Sequence, residues 1–309
     1  MLREMAVAAI STSQLTKDYG AGRGLFDLGL HVSQQEVFGY LGPNGSGKTT
    51  TIRLLMGMIR PTNGSAHVFG LDCVRDAVEV KRKVGYLPGD IPQFGSLRGD
   101  EVVAYLGGMR GGVDRRHVRA IAERFDLDLN RRFREYSSGN KQKLGILLAF
   151  MHRPELLILD EPTSGLDPLN QQEFYELLRE TRAGGATIFL SSHVLSEVEH
   201  VCDRVGILRA GRLVKVAELG ELTRIRVHHV EVEFAPGEEV PAERLRSADG
   251  VEDVTVEGQR LRCTVHGNFD ALLQAISGSR VIDLVSTEPS LEEFFLSFFG
   301  EPKPKALPS

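Results

Sequence analysis

Gly42-Pro43-Asn44-Gly45-Ser46-Gly47-Lys48-Thr49 constrains this chain more than any other stretch. It fits the spacing G-x-x-x-x-G-K-[ST] and falls where a short apolar run, Val37 to Leu41, gives way to a helical pattern over 49–59 that ends near Pro61. Glycines let such a loop turn tightly enough for its N–H groups to converge on a polyphosphate, and the following helix adds the positive end of its dipole. In that setting Lys48 reaches the β- and γ-phosphates of a nucleoside triphosphate. Thr49 places its hydroxyl on a Mg²⁺ ion that bridges the same two phosphates.

A second run, Leu156 to Leu159, reads as a buried strand ending in two carboxylates, Asp160 and Glu161. Successive strand residues point to opposite sides, so the two acids take different jobs. Asp160 suits Mg²⁺ ligation through water, and Glu161 suits orienting and deprotonating an attacking water. The surrounding pattern alternates strands and helices. Ala6 to Ile10, Phe26 to Val32, Val37 to Leu41, Leu156 to Leu159 and Ala186 to Ser191 read as strands, and a helix opens with Asp167 as cap and Pro168 in its first turn. This order implies an α/β fold with a mainly parallel sheet. Longer amphipathic stretches between about 98 and 150 (Glu101 to Met109, His117 to Phe125, Lys141 to Met151) form a helical insert.

Beyond about Leu222 the order becomes strand, helix, strand, strand, helix, strand, over His229–Phe234, Ala242–Arg246, Val251–Val256, Leu261–Val265, Ala271–Ile276 and Val281–Val285. That is the ferredoxin-like split βαβ pattern of a small α+β domain. The chain thus divides at 1–221 and 222–300. A capped amphipathic segment at 290–298 reads as a docking helix, and a proline-rich tail at 301–309 reads as disordered.

Tyr136-Ser137-Ser138-Gly139-Asn140-Lys141-Gln142 narrows the enzyme class. Ser137, Ser138 and Gly139 open a helical run, so a hydroxyl and free N–H groups stand at a helix N-terminus and make a second anion site. The segment resembles the Leu-Ser-Gly-Gly-Gln signature of ATP-binding cassette (ABC) proteins, and further matches follow in that family's order. Ser164-Gly165-Leu166-Asp167 resembles its D-loop, His193 its switch histidine at the γ-phosphate, and Tyr19 the aromatic that stacks on adenine. The resemblance covers about residues 8–217. It implies a P-loop nucleotide-binding domain with an antiparallel β-subdomain, an ATPase with ATP and Mg²⁺ as cofactors, and an ATP site formed by Tyr19, Gly42 to Thr49, Thr50 and, in trans, Ser137 to Gly139. Asn140-Lys141-Gln142-Lys143, Gly85-Tyr86-Leu87-Pro88 and the run from Glu288 to Phe295 are most similar to ATPase subunits of bacterial ABC-2 type exporters of drugs and antibiotics. Where many relatives carry a Q-loop glutamine this chain has Gly89, so Asp90 or Gln93 stands in as the residue reaching Mg²⁺ or water. Ser138 and Asn140 replace a glycine and the glutamine of the common signature.

In that family two cassettes meet head to tail, each phosphate loop facing the other's signature. One loop and one signature per chain therefore imply a dimer, with a second copy as the expected partner cassette. The longest nearly uninterrupted apolar stretch, Leu144 to Met151, falls far short of the about 18 residues a membrane span needs, and the N-terminus lacks a secretory core. The expected place is therefore the cytoplasmic face of the membrane, held there by a separate permease that the helical insert and the residues near Gly89 to Gln93 contact. The competing reading is an ABC ATPase acting on a ribosome or nucleic acid. A net charge of −5, with 42 acids spread among 37 bases, argues against a nucleic-acid partner. Cys73, Cys202 and Cys263 show no metal-binding spacing and read as thiols.

Overall fold

The computed structural model describes residues 7–220 and 227–287, and the chain divides into two compact units at Ala217/Glu218. The capped segment at 290–298 and the tail at 301–309 lie outside the described residues.

The first unit begins with an antiparallel sheet. β1 (Ile10–Asp18) pairs with β2 (Gly24–Val32) and with β4 (Asn63–Val68), and β4 pairs with β5 (Leu71–Asp72). The first strand thus starts where the expected one, Ala6 to Ile10, ends. Val7 is exposed, and the segment 11–18 pairs on both sides although it is polar, because irregularities around Leu15 and a positive φ at Gln14 break the two-residue alternation.

The second sheet has the order β10-β9-β3-β8-β7-β6, formed by β3 (Val37–Leu41), β6 (Val84–Leu87), β7 (Leu156–Asp160), β8 (Thr187–Ser192), β9 (Arg204–Arg209) and β10 (Arg212–Glu218). All of these except β10 are joined by parallel pairings. Every residue of β3, β7 and β8 is buried, as expected of parallel strands covered on both faces. α1 (Lys48–Leu55) follows β3, and its Ile52, Leu54 and Leu55 join Leu28, Phe38, Ile158 and Phe189 in one core. α1 stops before the expected 59 because Gly57, at φ +59°, comes so close to the Cys73 carbonyl that a Cβ would stand 2.2 Å away. α2 (Ala77–Lys83) leads into β6, and α3 (Gly99–Gly108), α4 (Arg115–Arg124) and α5 (Ser138–Phe150) form the insert between β6 and β7. α6 (Pro168–Ala183) and α7 (Leu195–Glu199) flank β8 in sequence.

The second unit holds β11 (Val227–Phe234), α8 (Ala242–Arg246), β12 (Val251–Glu257), β13 (Arg260–His266), α9 (Asp270–Ile276) and β14 (Val281–Thr287). Its antiparallel order β12-β13-β11-β14 is that of the ferredoxin-like fold. Period-two patterning sorts the faces: Val230, Val232, Leu261 and Cys263 pack with Leu245 and Leu272, while Glu231 and Glu233 pair with Arg260 and Arg262. All three cysteines are free and buried, and burial pushes the thiol of Cys73 up to about 12 and that of Cys263 up to about 11.

Candidate functional site

The site forms at the carboxyl ends of β3, β8 and β7, the edge at which open parallel sheets place their ligands. Gly42 follows β3, and the loop closes at Gly47, whose φ of +111° permits the turn into α1. A side chain at Gly42 would stand 2.5 Å from the Leu208 carbonyl, so the loop packs tightly on its neighbour strand. The loop is also pinned from outside, since Gly211 N–H donates to the Ser46 carbonyl at 2.8 Å. Ser46 Oγ is buried without a hydrogen-bond partner, which suits a loop shaped for an acceptor-rich ligand.

Lys48 is 5% exposed and donates to the Gly42 carbonyl at 2.6 Å. Its Nζ also lies 3.3 Å from Glu161 Oε1, and the other Glu161 oxygen lies 3.2 Å from His193 Nδ1. One carboxylate therefore stands between the phosphate-loop cation and the histidine past β8. Asp160, at the end of β7, turns the other way: Oδ2 accepts from Thr49 Oγ at 2.9 Å and Oδ1 from Ser191 Oγ at 2.5 Å. Glu161 has φ +48°, an uncommon backbone state for a residue with a side chain. Its N–H donates to Ser191 at 3.1 Å (Oγ) and 3.2 Å (carbonyl O), and Gln142 Nε2 donates to the Pro162 carbonyl at 2.8 Å. Those bonds hold the turn in a conformation the chain alone would resist.

A cavity of about 350 Å³ opens beside these groups. Tyr19, Asn44, Gly45, Gly47, Lys48, Thr49, Thr50 and Glu161 line it, joined by Arg23, Gly24, Ala210 and Gly211. Tyr19 is half exposed at its rim, with Lys17 Nζ over the ring at 5.5 Å from its centre. Ser137 caps α5, accepting from Asn140 N–H at 3.2 Å, and does not line the cavity. Gly139 instead faces Gly165, where a Cβ would come within 2.9 Å of the carbonyl. Gly89 approaches Asp160 closely enough that a Cβ would lie 3.5 Å from Oδ2, while Asp90 and Gln93 are exposed on the following turn. Sequence reasoning missed Ser191 and Gln142. Ser191 could have been found as a hydroxyl closing an apolar strand; a buried glutamine inside a helix gives no such sign.

The ABC transporter family model matches residues 25–164. The bacitracin transport ATP-binding protein BcrA of Enterococcus faecalis is 34% identical over 94% of this chain and 96% of its own length. The chain belongs to the ABC transporter family. The daunorubicin resistance ATP-binding protein DrrA3 of Streptomyces coeruleorubidus is 33% identical, covering 96% of this chain and 98% of its own. Among solved structures, an ATP-binding subunit of an ABC transporter is 30% identical and covers 70% of this chain and 92% of that one, with a TM-score of 0.64. A dimeric bacterial ABC transporter cassette, 21% identical, shares the fold over 68% of this chain and 98% of its own, with a TM-score of 0.62. As an ABC protein the chain binds ATP and hydrolyses it to drive transport.

Proposed function

We propose that this ABC ATPase energises export of a drug, antibiotic or lipid-like substrate through a separate membrane permease, working as a pair of cassettes. The relatives named for bacitracin transport and daunorubicin resistance, aligned over nearly the whole chain, support the substrate class. Among the described residues no helix is long and apolar enough to cross a membrane, which fits a division of labour with a permease. A groove of about 1320 Å³ lined by Tyr86, Pro88, Ile91, Phe94, Leu148 and Arg110 lies beside the helical insert and suits an apolar helix from that partner.

Glu161 held between Lys48 and His193 is the observation that carries the chemistry. A triphosphate entering the cavity would meet the N–H groups of residues 45–50 and draw Lys48 from the loop carbonyls onto its β- and γ-oxygens, while adenine stacks on Tyr19. That move frees Glu161 to take a proton from the attacking water, with His193 holding the γ-phosphate side. Thr49 and Asp160 fit a Mg²⁺ ion, which when bound neutralises charge on the β- and γ-phosphates. Among the described residues no group of three or more His, Cys, Asp or Glu side chains could hold a metal, so Thr49 and Asp160 would hold the ion with phosphate oxygens and water as its other ligands. Asp90 or Gln93 would complete its surroundings from the turn after Gly89. The second cassette supplies Ser137 to Gly139 to the same nucleotide, so ATP closes the pair and hydrolysis releases it.

The test is Glu161→Gln. ATP binding should persist while hydrolysis falls by roughly 10²-fold or more, and the trapped dimer should co-purify from detergent-solubilised membranes with a multi-span protein. Normal turnover would move the base elsewhere, and a trapped dimer that brings down no membrane protein would overturn the transport reading.

A further inference from the structure

Glu197 lies on α7, four residues past His193, and its two carboxylate oxygens take hydroxyls from two separate segments, the loop after β7 and the end of β8. Oε1 accepts from Thr163 Oγ, two residues past Glu161, and Oε2 accepts from Ser192 Oγ at 2.5 Å. Thr163 and Ser192 are both buried. Ser192 directly precedes His193, and its Oγ also accepts from Val194 N–H at 2.9 Å, on the other side of that histidine. A single acceptor group therefore ties the segment carrying Glu161 to the segment carrying His193. The Glu161–His193 contact itself joins two side chains that solvent reaches, 26% and 46% exposed, so its geometry depends on how firmly their backbones are held.

We propose that Glu197 is a positioning residue: by clamping Thr163 to Ser192 it sets the Glu161–His193 geometry on which hydrolysis depends. The inference rests on the roles given above to Glu161 and His193. What the clamp requires is reach to both hydroxyls rather than charge. Gln keeps that reach, since its carbonyl accepts one hydroxyl and its amide donates to the other once that hydroxyl turns. Asp keeps the charge and is one methylene too short to hold both.

Steady-state ATPase assays on full-length E197Q, E197D and E197A decide it. E197Q should keep kcat within about threefold of the parent, while E197D and E197A lose about tenfold or more, with KM for ATP changed less than about twofold in each. Thr163→Val combined with Ser192→Ala should reproduce the loss, and Glu197→Ala added to that pair should cost nothing further. The proposal is overturned by an E197D more active than E197Q, by full activity in all three, by a rise in KM at unchanged kcat, or by full additivity in the triple variant. If E197A fails to fold, the order of E197Q and E197D decides alone. Glu161→Gln assayed beside them keeps the two readings apart. Unimpaired turnover there removes the base assignment, whereas the E197Q and E197D order bears on the clamp.

Discussion

His152, at the end of the α5 segment, shows how one buried side chain can make the stability of this cassette depend on pH. Burial first, and the Arg110 cation second, push its imidazole down to about 4 from an ordinary 6.5. Arg110 cannot retreat, because its guanidinium donates to the carbonyls of Lys81 and Val84 at 3.1 and 3.2 Å and so fastens the insert to the end of α2. The folded chain keeps His152 neutral while the unfolded chain protonates it below 6.5. The unfolded state therefore binds more protons between about pH 6.5 and 4, and stability falls as pH falls through that window. After allowance for partial exposure the loss is roughly 2 kcal/mol. Urea unfolding of His152→Leu against the parent at pH 7 and pH 4.5 checks it: the gap between the two pH values should narrow in the variant. An equal gap in both proteins would place the proton uptake on another group.

At the scale of elements, α5 serves both as a structural helix and, in the proposed dimer, as the signature that faces the other cassette's nucleotide, and Ser137 separates the two roles. As N-cap its Oγ satisfies the Asn140 N–H. Ser137→Ala should cost about 1 kcal/mol of stability together with most of the ATPase activity. Ser137→Asp caps at least as well but faces the γ-phosphate with a negative charge, so thermal melting should stay at or above the parent while hydrolysis is lost. Retained hydrolysis in a well-folded Ser137→Asp protein would remove Ser137 from the phosphate's surroundings. α5, β7 and the phosphate loop were legible in sequence because each couples a periodic apolar pattern to a polar punctuation at a fixed place. β1 was misplaced because its irregular pairing destroys the alternation that marks a strand, and one of its two partners, β4, follows only after β2, β3 and α1. The supports of Glu161 escaped for a related reason. Ser191 and Gln142 reach it from 30 and 19 residues away, and such contacts follow from the strand order β8-β7 and the return of α5, which no local pattern encodes.

For the whole molecule the decisive question is whether Lys48 and Ser137 serve one nucleotide from the same chain or from two. Within one chain Lys48 lines the cavity and Ser137 does not, and in the proposed function the signature facing a given ATP comes from the second cassette. Lys48→Ala and Ser137→Ala homodimers should then each carry damage in both sites. A mixed dimer of the two differs: one site combines both lesions, and the other joins an intact Lys48 to an intact Ser137. Subunit exchange between differently tagged variants, followed by two-step affinity purification, yields that mixed dimer. Its ATPase rate should rise to about half that of the parent if each site turns over independently. If both residues acted within one chain, each site of the mixture would still hold one lesion and the rate would stay at the single-variant level. An intermediate test distinguishes strict coupling between sites. A dimer of parent and double variant puts one lesion in each composite site, whereas intrachain sites would leave one of its two intact. Recovery in the first mixture with none in the second therefore assigns the site to the interface, and the opposite pattern assigns it to the single chain.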